Sequence, residues 1–129
     1  MNMKQILWIC LILFSVASLD VKKGIGCPST CTEATLANLN VSWFYNWNSA
    51  SSLKTLPFIP MCFSDNNNRI DKLPAYSDIL LGFNEPDNDG QSNMTVDEAY
   101  NLWPQLVAKS NIIASPVMAG NPAAAGSWL

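Results

Sequence analysis

An α/β fold with a parallel sheet is the class that the sequence predicts, and three observations lead to it. Apolar segments of strand composition alternate with helical or loop-like segments, an order typical of parallel sheets with crossover connections. The run Ile79–Phe83 shows no polar alternation, as expected of a strand that is buried on both faces. The chain has 129 residues, 49% of them hydrophobic and only 13% charged, so it can bury a core and disorder is not expected.

The first 18 residues are predicted to be a secretory signal peptide rather than part of the fold. A short basic start, Met1–Lys4, precedes the apolar stretch Ile6–Val16, and Ala17 and Ser18 are small residues suited to signal-peptidase cleavage. The stretch is short for a membrane anchor, although an uncleaved anchor is the alternative interpretation. Residues 19–129 are therefore expected to form one secreted domain, extracellular or in the cell wall, with no membrane attachment after cleavage.

The first part of this domain is expected to hold three strands and one helix. Strand one lies at Lys22–Gly26, and a capping box of Thr30 and Glu33 should open a short helix over Ala34–Leu39. Strand two, at positions 41–47, is rich in aromatic and β-branched residues. Strand three, at positions 57–63, contains two prolines and should therefore be short and irregular.

The second part is expected to hold two strands and one long helix. Strand four begins near Ile79 and should end at about Glu85, because Pro86 lacks the amide hydrogen that the ladder needs. A capping box at Thr95 should open a helix from Val96 to about Ser110, with a bend or a split-off first turn at a proline inside it. Residues 69–77 form a short helix or irregular turn, and strand five covers positions 112–120.

Chain length decides between two versions of this architecture. A complete eight-stranded barrel needs about 250 residues, and the mature chain holds about half of that. We therefore expect a partial TIM (β/α)8 barrel with about five N-terminal strands and intervening helices, truncated after Leu129. A five-stranded open sheet that is complete as it stands is the alternative.

Composition excludes several classes of function. The chain has no histidine, which removes Ser-His-Asp and Cys-His catalysis and histidine zinc sites, and leaves acid–base work to carboxylates, Lys, Tyr or Cys. Its net charge of −3 and the lack of a basic run argue against a nucleic-acid partner. No metal site and no cofactor are predicted.

Cysteines and glycosylation sequons fit a secreted chain. Once the signal is removed, Cys27, Cys31 and Cys62 remain, so that one disulfide and one unpaired thiol are expected. The sequence leaves open whether Cys27 pairs with Cys31 or whether one of them pairs with Cys62. Two acceptor sequons begin at Asn93, in a polar loop, and at Asn40, next to a predicted strand.

The residues after the fourth strand are the candidate catalytic group. Asn84 and Glu85 should stand at the carboxyl end of a buried parallel strand, the edge where such sheets place their chemistry. The alternative is a strand followed by a polar turn that happens to carry acids. Asp87 is interpreted as a loop-capping or arginine-pairing residue, because Pro86 turns the chain away before it.

An ordered set of motifs resembles a known family. The set resembles the catalytic core of glycoside hydrolase family 128, which includes fungal alkali-sensitive-linkage cell-wall proteins. The segment Leu81–Asp87, Leu-Gly-Phe-Asn-Glu-Pro-Asp, is its most specific member. The other motifs are Lys23–Gly26, Trp43–Trp47, Phe58–Met61, Gln91–Thr95, Ser115-Pro116 and Ala119–Pro122.

The resemblance implies a TIM barrel of the large retaining clan that cleaves β-1,3-glucan. In that clan an Asn-Glu pair ends the fourth strand, which Asn84 and Glu85 match, with Glu85 as the general acid/base and Asn84 on the sugar 2-hydroxyl. The family's nucleophile glutamate ends the seventh strand, which would lie beyond Leu129. The chain departs from the family at Cys62-Phe63, where an aliphatic residue and Trp are usual; Phe63 can still stack on a sugar.

Further substrate contacts are expected from the end of strand two. Trp47 and Asn46 lie there and are candidate ligand residues, whereas Trp43 and Tyr45 are interpreted as barrel core rather than as stacking residues. The partner that follows is a β-glucan polysaccharide or oligosaccharide. Three hypotheses remain: a fragment of a secreted β-1,3-glucanase, inactive alone; a non-catalytic glucan-binding or cell-wall protein; and a secreted structural protein.

Overall fold

The computed structural model describes residues 23–66, 68–121, 124 and 128. The predicted signal peptide lies outside the described residues. In chain order the elements are β1 (Gly24–Gly26), α1 (Glu33–Asn38), β2 (Trp43–Tyr45), β3 (Ser77–Leu81), α2 (Val96–Val107) and β4 (Ser110–Ala114). This order confirms the mixed α/β class.

The strand pairing is parallel throughout the described residues. β1 pairs with β2, and β3 pairs with β4 in the register Ile79 to Ile112. Residues 57–63, here called the proline segment, lie between the two pairs and join them through single parallel bridges. Those bridges are Phe44–Phe58 and Met61–Leu81. Five parallel segments therefore follow one another in chain order.

The third expected strand is not a regular strand, which corrects the expected five to four strands and one bridging segment. Pro57 and Pro60 have no amide hydrogen, so they take part in the sheet only through their carbonyl oxygens. The Pro57 oxygen accepts from the Phe44 amide at 3.0 Å, and the Pro60 oxygen accepts from the Leu81 amide at 2.9 Å. With two donors missing, isolated bridges replace a continuous ladder.

The two helices differ in how well the sequence located their ends. α1 begins after Thr32, whose hydroxyl accepts from the Thr35 amide at 3.1 Å, so the predicted cap at Thr30 was wrong. Thr30 instead lies in the turn closed by the disulfide between Cys27 and Cys31. The predicted capping box of α2 is confirmed. The helix continues without a break through Pro104, where a bend or a split-off first turn was expected. α2 ends at Val107 rather than Ser110, because Ser110 begins β4.

Two hydrophobic clusters cover one side of the sheet. One joins α2 to β3 and β4, and the other joins α1 to β1 and β2. The first contains Cys62, Ile70, Leu73, Leu80, Phe83, Met94, Ala99 and Leu106, and the second contains Cys27, Leu36 and Phe44. Each helix thus covers the strands that precede and follow it.

The opposite side of the sheet carries exposed apolar residues. Leu80 is buried against α2 and Ile113 packs on the same cluster, so by strand alternation Ile79 and Ile112 point the other way. They are 37% and 60% exposed. The expectation that Ile79–Phe83 is buried on both faces was therefore wrong within the described residues, because only one face has a covering layer.

The cysteine pairing that the sequence left open is resolved. Cys27 and Cys31 form a disulfide with their Cα atoms 5.6 Å apart. Cys62 is a free thiol within the first cluster, and burial raises its pKa to about 12, with the Asp65 carboxylate adding to the effect. The Cys62 thiol is therefore not ionised near neutral pH.

Candidate active site

The pair Asn84-Glu85 is fixed at the carboxyl end of β3 by backbone hydrogen bonds. Asn84 forms a parallel bridge with Val117, beyond the end of β4. The Glu85 amide donates to the Val117 oxygen at 2.8 Å, and the Val117 amide donates to the Phe83 oxygen at 3.2 Å. The sheet therefore continues past both regular strands far enough to hold Glu85 at its edge.

Glu85 has a left-handed backbone conformation. Its φ is 45°, which costs a residue other than glycine about 1–3 kcal/mol and persists only where the surroundings enforce it. Glu85 makes a second backbone hydrogen bond in addition to the one with Val117: its carbonyl oxygen accepts from the Asn88 backbone amide at 3.1 Å. The Asn88 side-chain amide donates to the Glu85 carboxylate at 3.3 Å, and the side chain is half-buried. These bonds set the direction in which the carboxylate points.

Asn84 is held more tightly than its neighbour. It is 8% exposed, and its side-chain Nδ2 donates to Gln91 Oε1 at 3.2 Å. The Ser92 hydroxyl, itself buried, donates to the Asn84 carbonyl oxygen. The Asn84 amide donates to the Phe63 oxygen at 3.0 Å, which ties it to the proline segment. One hydrogen of Nδ2 thus has a partner that fixes the orientation of the amide plane.

Trp47, two residues after the end of β2, also has a left-handed backbone conformation. Its φ is 60°, and its ring packs on the Tyr45 ring with 4.8 Å between centroids at a 58° tilt. A Cβ at Gly26 would come within 2.9 Å of the Trp47 indole. Glycine at this position of β1 leaves room for the indole in its present place, and a larger residue would require the ring to shift.

The other two candidate contact residues have partners of their own. Asn46 braces its loop, because its Oδ1 accepts from the Asn48 amide at 3.1 Å and its Nδ2 donates to the Ala50 oxygen at 3.4 Å. Phe63 is half-buried, and the Arg69 guanidinium stands over its ring at 4.9 Å from the centroid. One face of the Phe63 ring is therefore covered by a cation.

The structure joins some of the predicted site residues directly and leaves others apart. Asn84, Glu85 and Phe63 are linked through backbone hydrogen bonds at one edge. Trp47 and Asn46 belong to the loop after β2 and make their described contacts there and with β1. Gln91 and Ser92 belong to the motif Gln91–Thr95, but the sequence assigned no supporting role to them or to Asn88, although their place in the loop after Glu85 was a usable signal.

Asp87 connects the loop after β3 to the loop after β4. Its two carboxylate oxygens accept from the Ala119 and Gly120 amides, each at 2.8 Å. These two backbone bonds, the one from Ala119 being the larger cause, lower the pKa of Asp87 from its ordinary value of 3.8. The predicted loop-capping role of Asp87 is confirmed.

The lowered pKa of Asp87 gives a pH-dependent expectation. Its folded-state pKa lies below the unfolded value, so its stabilisation is present above about pH 4 and is lost as pH falls through the folded value. We expect the Ala119 and Gly120 amides to exchange with solvent faster on acidification. In Asp87→Asn the side chain presents an NH2 group to one donor, so exchange should already be fast at neutral pH. Amide NMR across the titration measures both effects.

The matched control for this experiment lies in the same loop. Asp89 is exposed, and its carboxylate makes no hydrogen bond among the described residues. Asp89→Asn should leave the exchange of both amides unchanged. If Asp87→Asn behaved like Asp89→Asn, the two carboxylate bonds would not hold the loops together.

Both sequon asparagines are on the surface. Asn93 and Asn40 are exposed, and Asn93 has φ 46°, a conformation that asparagine tolerates well. Their glycosylation remains a prediction. Across the described residues, no cluster of three or more potential metal-ligating side chains is found, and no helix there has the length and apolar character of a membrane span.

Comparison with known proteins gives this geometry a family. The sequence matches the family model for the "Glycosyl hydrolase catalytic core" over residues 24–129. No curated protein is significantly similar to the chain in sequence. Among solved structures, the chain is similar to an endo-β-1,3-glucanase of family GH128, subgroup I, from Amycolatopsis mediterranei, solved in complex with laminaritriose. The identity is 30% and the TM-score 0.66, over 82% of this chain and 48% of that one.

More distant structures share the fold. An oligosaccharide-binding protein of GH128 subgroup VII from Trichoderma gamsii is 23% identical, with TM-score 0.63 over 84% of this chain and 48% of that one. A subgroup II endo-β-1,3-glucanase from Sorangium cellulosum is 22% identical, with TM-score 0.58 over 77% and 48%. The chain spans about half the length of these structures. It belongs to the glycosyl hydrolase catalytic core family, and the solved structures to which it is similar are proteins of family GH128.

Proposed function

We propose that the chain forms the N-terminal part of the (β/α)8 catalytic core of a retaining glycoside hydrolase that acts on β-1,3-glucan, with Glu85 as general acid/base. The observation that carries the proposal is the enforced position of Asn84-Glu85 at the carboxyl end of β3. In parallel barrels that edge is where catalytic groups are found. The choice of β-1,3-glucan is supported by the 30% identical endo-β-1,3-glucanase from Amycolatopsis mediterranei, which was solved in complex with laminaritriose.

The proposed chemistry begins with a protonated Glu85. Its carboxyl proton passes to the glycosidic oxygen as the bond from that oxygen to the anomeric carbon breaks. After the leaving group departs, the same carboxylate takes a proton from the attacking water. The Asn88 side-chain amide, bound to Glu85 Oε2, keeps the carboxyl group in one orientation through both steps. Asn84, beside it, would contact the sugar 2-hydroxyl with its remaining amide hydrogen.

A retaining enzyme also needs a nucleophilic carboxylate about 5–5.5 Å from the acid. The chain has three glutamates, and the other two, Glu33 and Glu98, have structural roles at the starts of α1 and α2. We therefore expect the nucleophile to come from sequence outside residues 1–129, and this chain alone to release no reducing sugar from laminarin.

The exposed side of the sheet supports the partial-barrel interpretation. Ile79 and Ile112 are 37% and 60% exposed, although burial of apolar side chains is favourable. In a closed barrel this side of the strands would face the packed interior. Secretion, through a signal peptide at residues 1–18, is part of the proposal and fits the disulfide between Cys27 and Cys31.

The surface formed by Asn46, Trp47, Phe63, Asn84 and Glu85 is here called the glucan groove. Binding of laminaritriose to the chain tests whether it binds sugar. We propose that Trp47 stacks on a sugar ring, with Asn46 and Phe63 beside it, and removing a stacked aromatic ring should weaken binding about tenfold. Titration by calorimetry should show this loss for Trp47→Ala. Tyr76→Ala is the control, because Tyr76 is 52% exposed and directly precedes β3, at the opposite end of the strand.

Two results would count against the proposal. If laminaritriose did not bind the folded chain, the site would not be a glucan groove. If Tyr76→Ala weakened binding as much as Trp47→Ala, the sugar would be bound elsewhere. A completed core that binds laminaritriose but does not hydrolyse laminarin would favour a non-catalytic glucan-binding protein. Hydrolysis that is lost in Glu85→Gln would favour the glucanase.

A further inference from the structure

A small polar cavity lies beside the proposed groove and is not explained by the reaction. Its volume is about 190 Å³, and it is lined by Asn48, Ser49, Met61, Arg69 and Lys72. The Met61 amide donates to the Asn48 oxygen at 3.0 Å, which fixes the loop after β2 against the proline segment. The lining contains two cationic side chains and no carboxylate.

Arg69 is the unusual member of this lining. Its guanidinium is held over the Phe63 ring, and its side chain is half-buried. Among the described residues no carboxylate oxygen lies within 4.0 Å of Arg69 or Lys72. The nearby Asp65 lines a different cavity, with Asn66 and Asn93. Among the described residues the five donors of this guanidinium face no carboxylate, so they are available to a ligand oxygen.

The cavity is connected to the catalytic pair by direct contacts. Arg69 lies on Phe63, and the Phe63 carbonyl oxygen accepts from the Asn84 amide at 3.0 Å. Glu85 is the next residue. A glycan that is bound at Asn84 and Glu85 and passes Phe63 would approach the two cations.

We propose that this cavity is a subsite for an anionic substituent, a carboxylate or a phosphate, on the glycan that the groove binds. The inference rests on the proposed function and refines its substrate class. Arg69 offers a planar fork of donors that matches two oxygens of either group, and Lys72 adds a second positive charge. Because the whole chain has a net charge of −3, attraction of an anion here must come from this local pair.

Three ligands distinguish the possibilities: neutral laminaritriose, laminaritriose with one C6 oxidised to a carboxylate, and laminaritriose with one 6-phosphate. The unmodified chain should bind at least one anionic ligand about tenfold more tightly than the neutral one. The preference should shrink as salt is raised from about 0.05 M to about 0.5 M, because the cavity is open enough for screening. Whichever anionic ligand shows the preference identifies the group.

Variants assign the preference to its residues. Arg69→Gln should abolish the preference while leaving the affinity for neutral laminaritriose within about twofold. Arg69→Lys keeps the positive charge but loses the planar pair of donors, so it should retain only part of the preference for the anionic ligand. Lys23→Gln removes the same charge just before β1 and should change neither affinity. Melting temperatures of all variants show whether loss of the contact with Phe63 has altered the fold.

The outcomes separate this inference from the proposed function. Equal affinity for neutral and anionic ligands in the unmodified chain would overturn the inference and leave the glucan groove intact. A preference that persists in Arg69→Gln would also overturn it. Binding of an anionic ligand without any binding of laminaritriose would refute the glucan groove but keep the cation site.

Discussion

Replacing Glu85 by Gln should lower the hydrolysis of laminarin by about 10²–10⁴-fold in a completed catalytic core. A suitable core joins this chain to the part of the Amycolatopsis mediterranei enzyme that it does not cover, since the chain matches 48% of that enzyme. Glutamine keeps the size and the acceptor oxygen of the side chain but has no proton to give. Release of reducing ends measures the rate.

The same variant separates loss of acid–base chemistry from loss of structure. A substrate with a dinitrophenyl leaving group needs no proton on departure, so Glu85→Gln should form its glycosyl-enzyme at a rate much closer to the unmodified core. Added azide, which needs no general base, should then speed turnover and give a glycosyl azide with retained configuration. A merely structural role for Glu85 predicts neither rescue.

Controls come from the chain itself. Glu33→Gln and Glu98→Gln make the same chemical change at the two helix starts, where both carboxylates accept backbone hydrogen bonds. They should retain near-full activity, with at most a lower melting temperature. If the fused core does not fold, the affinity for laminaritriose can be measured in the 129-residue chain. An unchanged affinity in Glu85→Gln would show that the carboxyl group is not needed for ground-state binding. Full activity of Glu85→Gln in a folded core would refute the proposed acid.

Replacing Phe83 by Ala should lower the free energy of unfolding by about 3–5 kcal/mol. Phe83 is fully buried and packs edge-on against Trp103 of α2, with ring centroids 6.0 Å apart at a 62° angle. Removing it takes apolar surface out of the larger cluster and leaves a cavity between β3 and α2. Because a small domain has only about 5–15 kcal/mol in total, this variant could lose its fold at room temperature. Urea unfolding followed by tryptophan fluorescence measures the change.

A graded series protects this prediction against outright unfolding. Phe83→Leu keeps most of the volume and should cost less than Phe83→Ala. Tyr100 also lies on α2 but is 78% exposed, so Tyr100→Ala should change the unfolding free energy by no more than about 0.5 kcal/mol. If Phe83→Ala cost no more than Tyr100→Ala, β3 would not be anchored to α2 through Phe83. The position of Glu85, two residues later, would then need another explanation.

The sequence alone predicted the elements whose signals are local. The capping box at Thr95 and Glu98 was located correctly, because its two hydrogen bonds join residues three apart. The parallel α/β class followed from the alternation of strand and helix segments. The motif Asn84-Glu85-Pro86-Asp87 marked the edge of the sheet and a loop-capping carboxylate at its last residue. These features depend on chain chemistry over a few residues.

Other features required contacts between distant residues. The two prolines predicted an irregular third strand, but its partners depend on which carbonyl oxygens the Phe44 and Leu81 amides reach. The pairing of Cys27 with Cys31, rather than with Cys62, depends on Cys62 lying under α2. The covering of Phe63 by Arg69 could not be predicted, because a cation–π contact has no sequence pattern.

What the sequence by itself determined is therefore the order and type of most segments, and it singled out Glu85 as the candidate acid, a role that stays a prediction. The tertiary structure decided how that acid is held. The Val117 carbonyl oxygen and the Asn88 amide enforce a left-handed backbone at Glu85, and the first of these lies 32 positions away along the chain. The physical reason is that a strained conformation is stable only where several contacts agree on it, and these contacts form when separate strands meet.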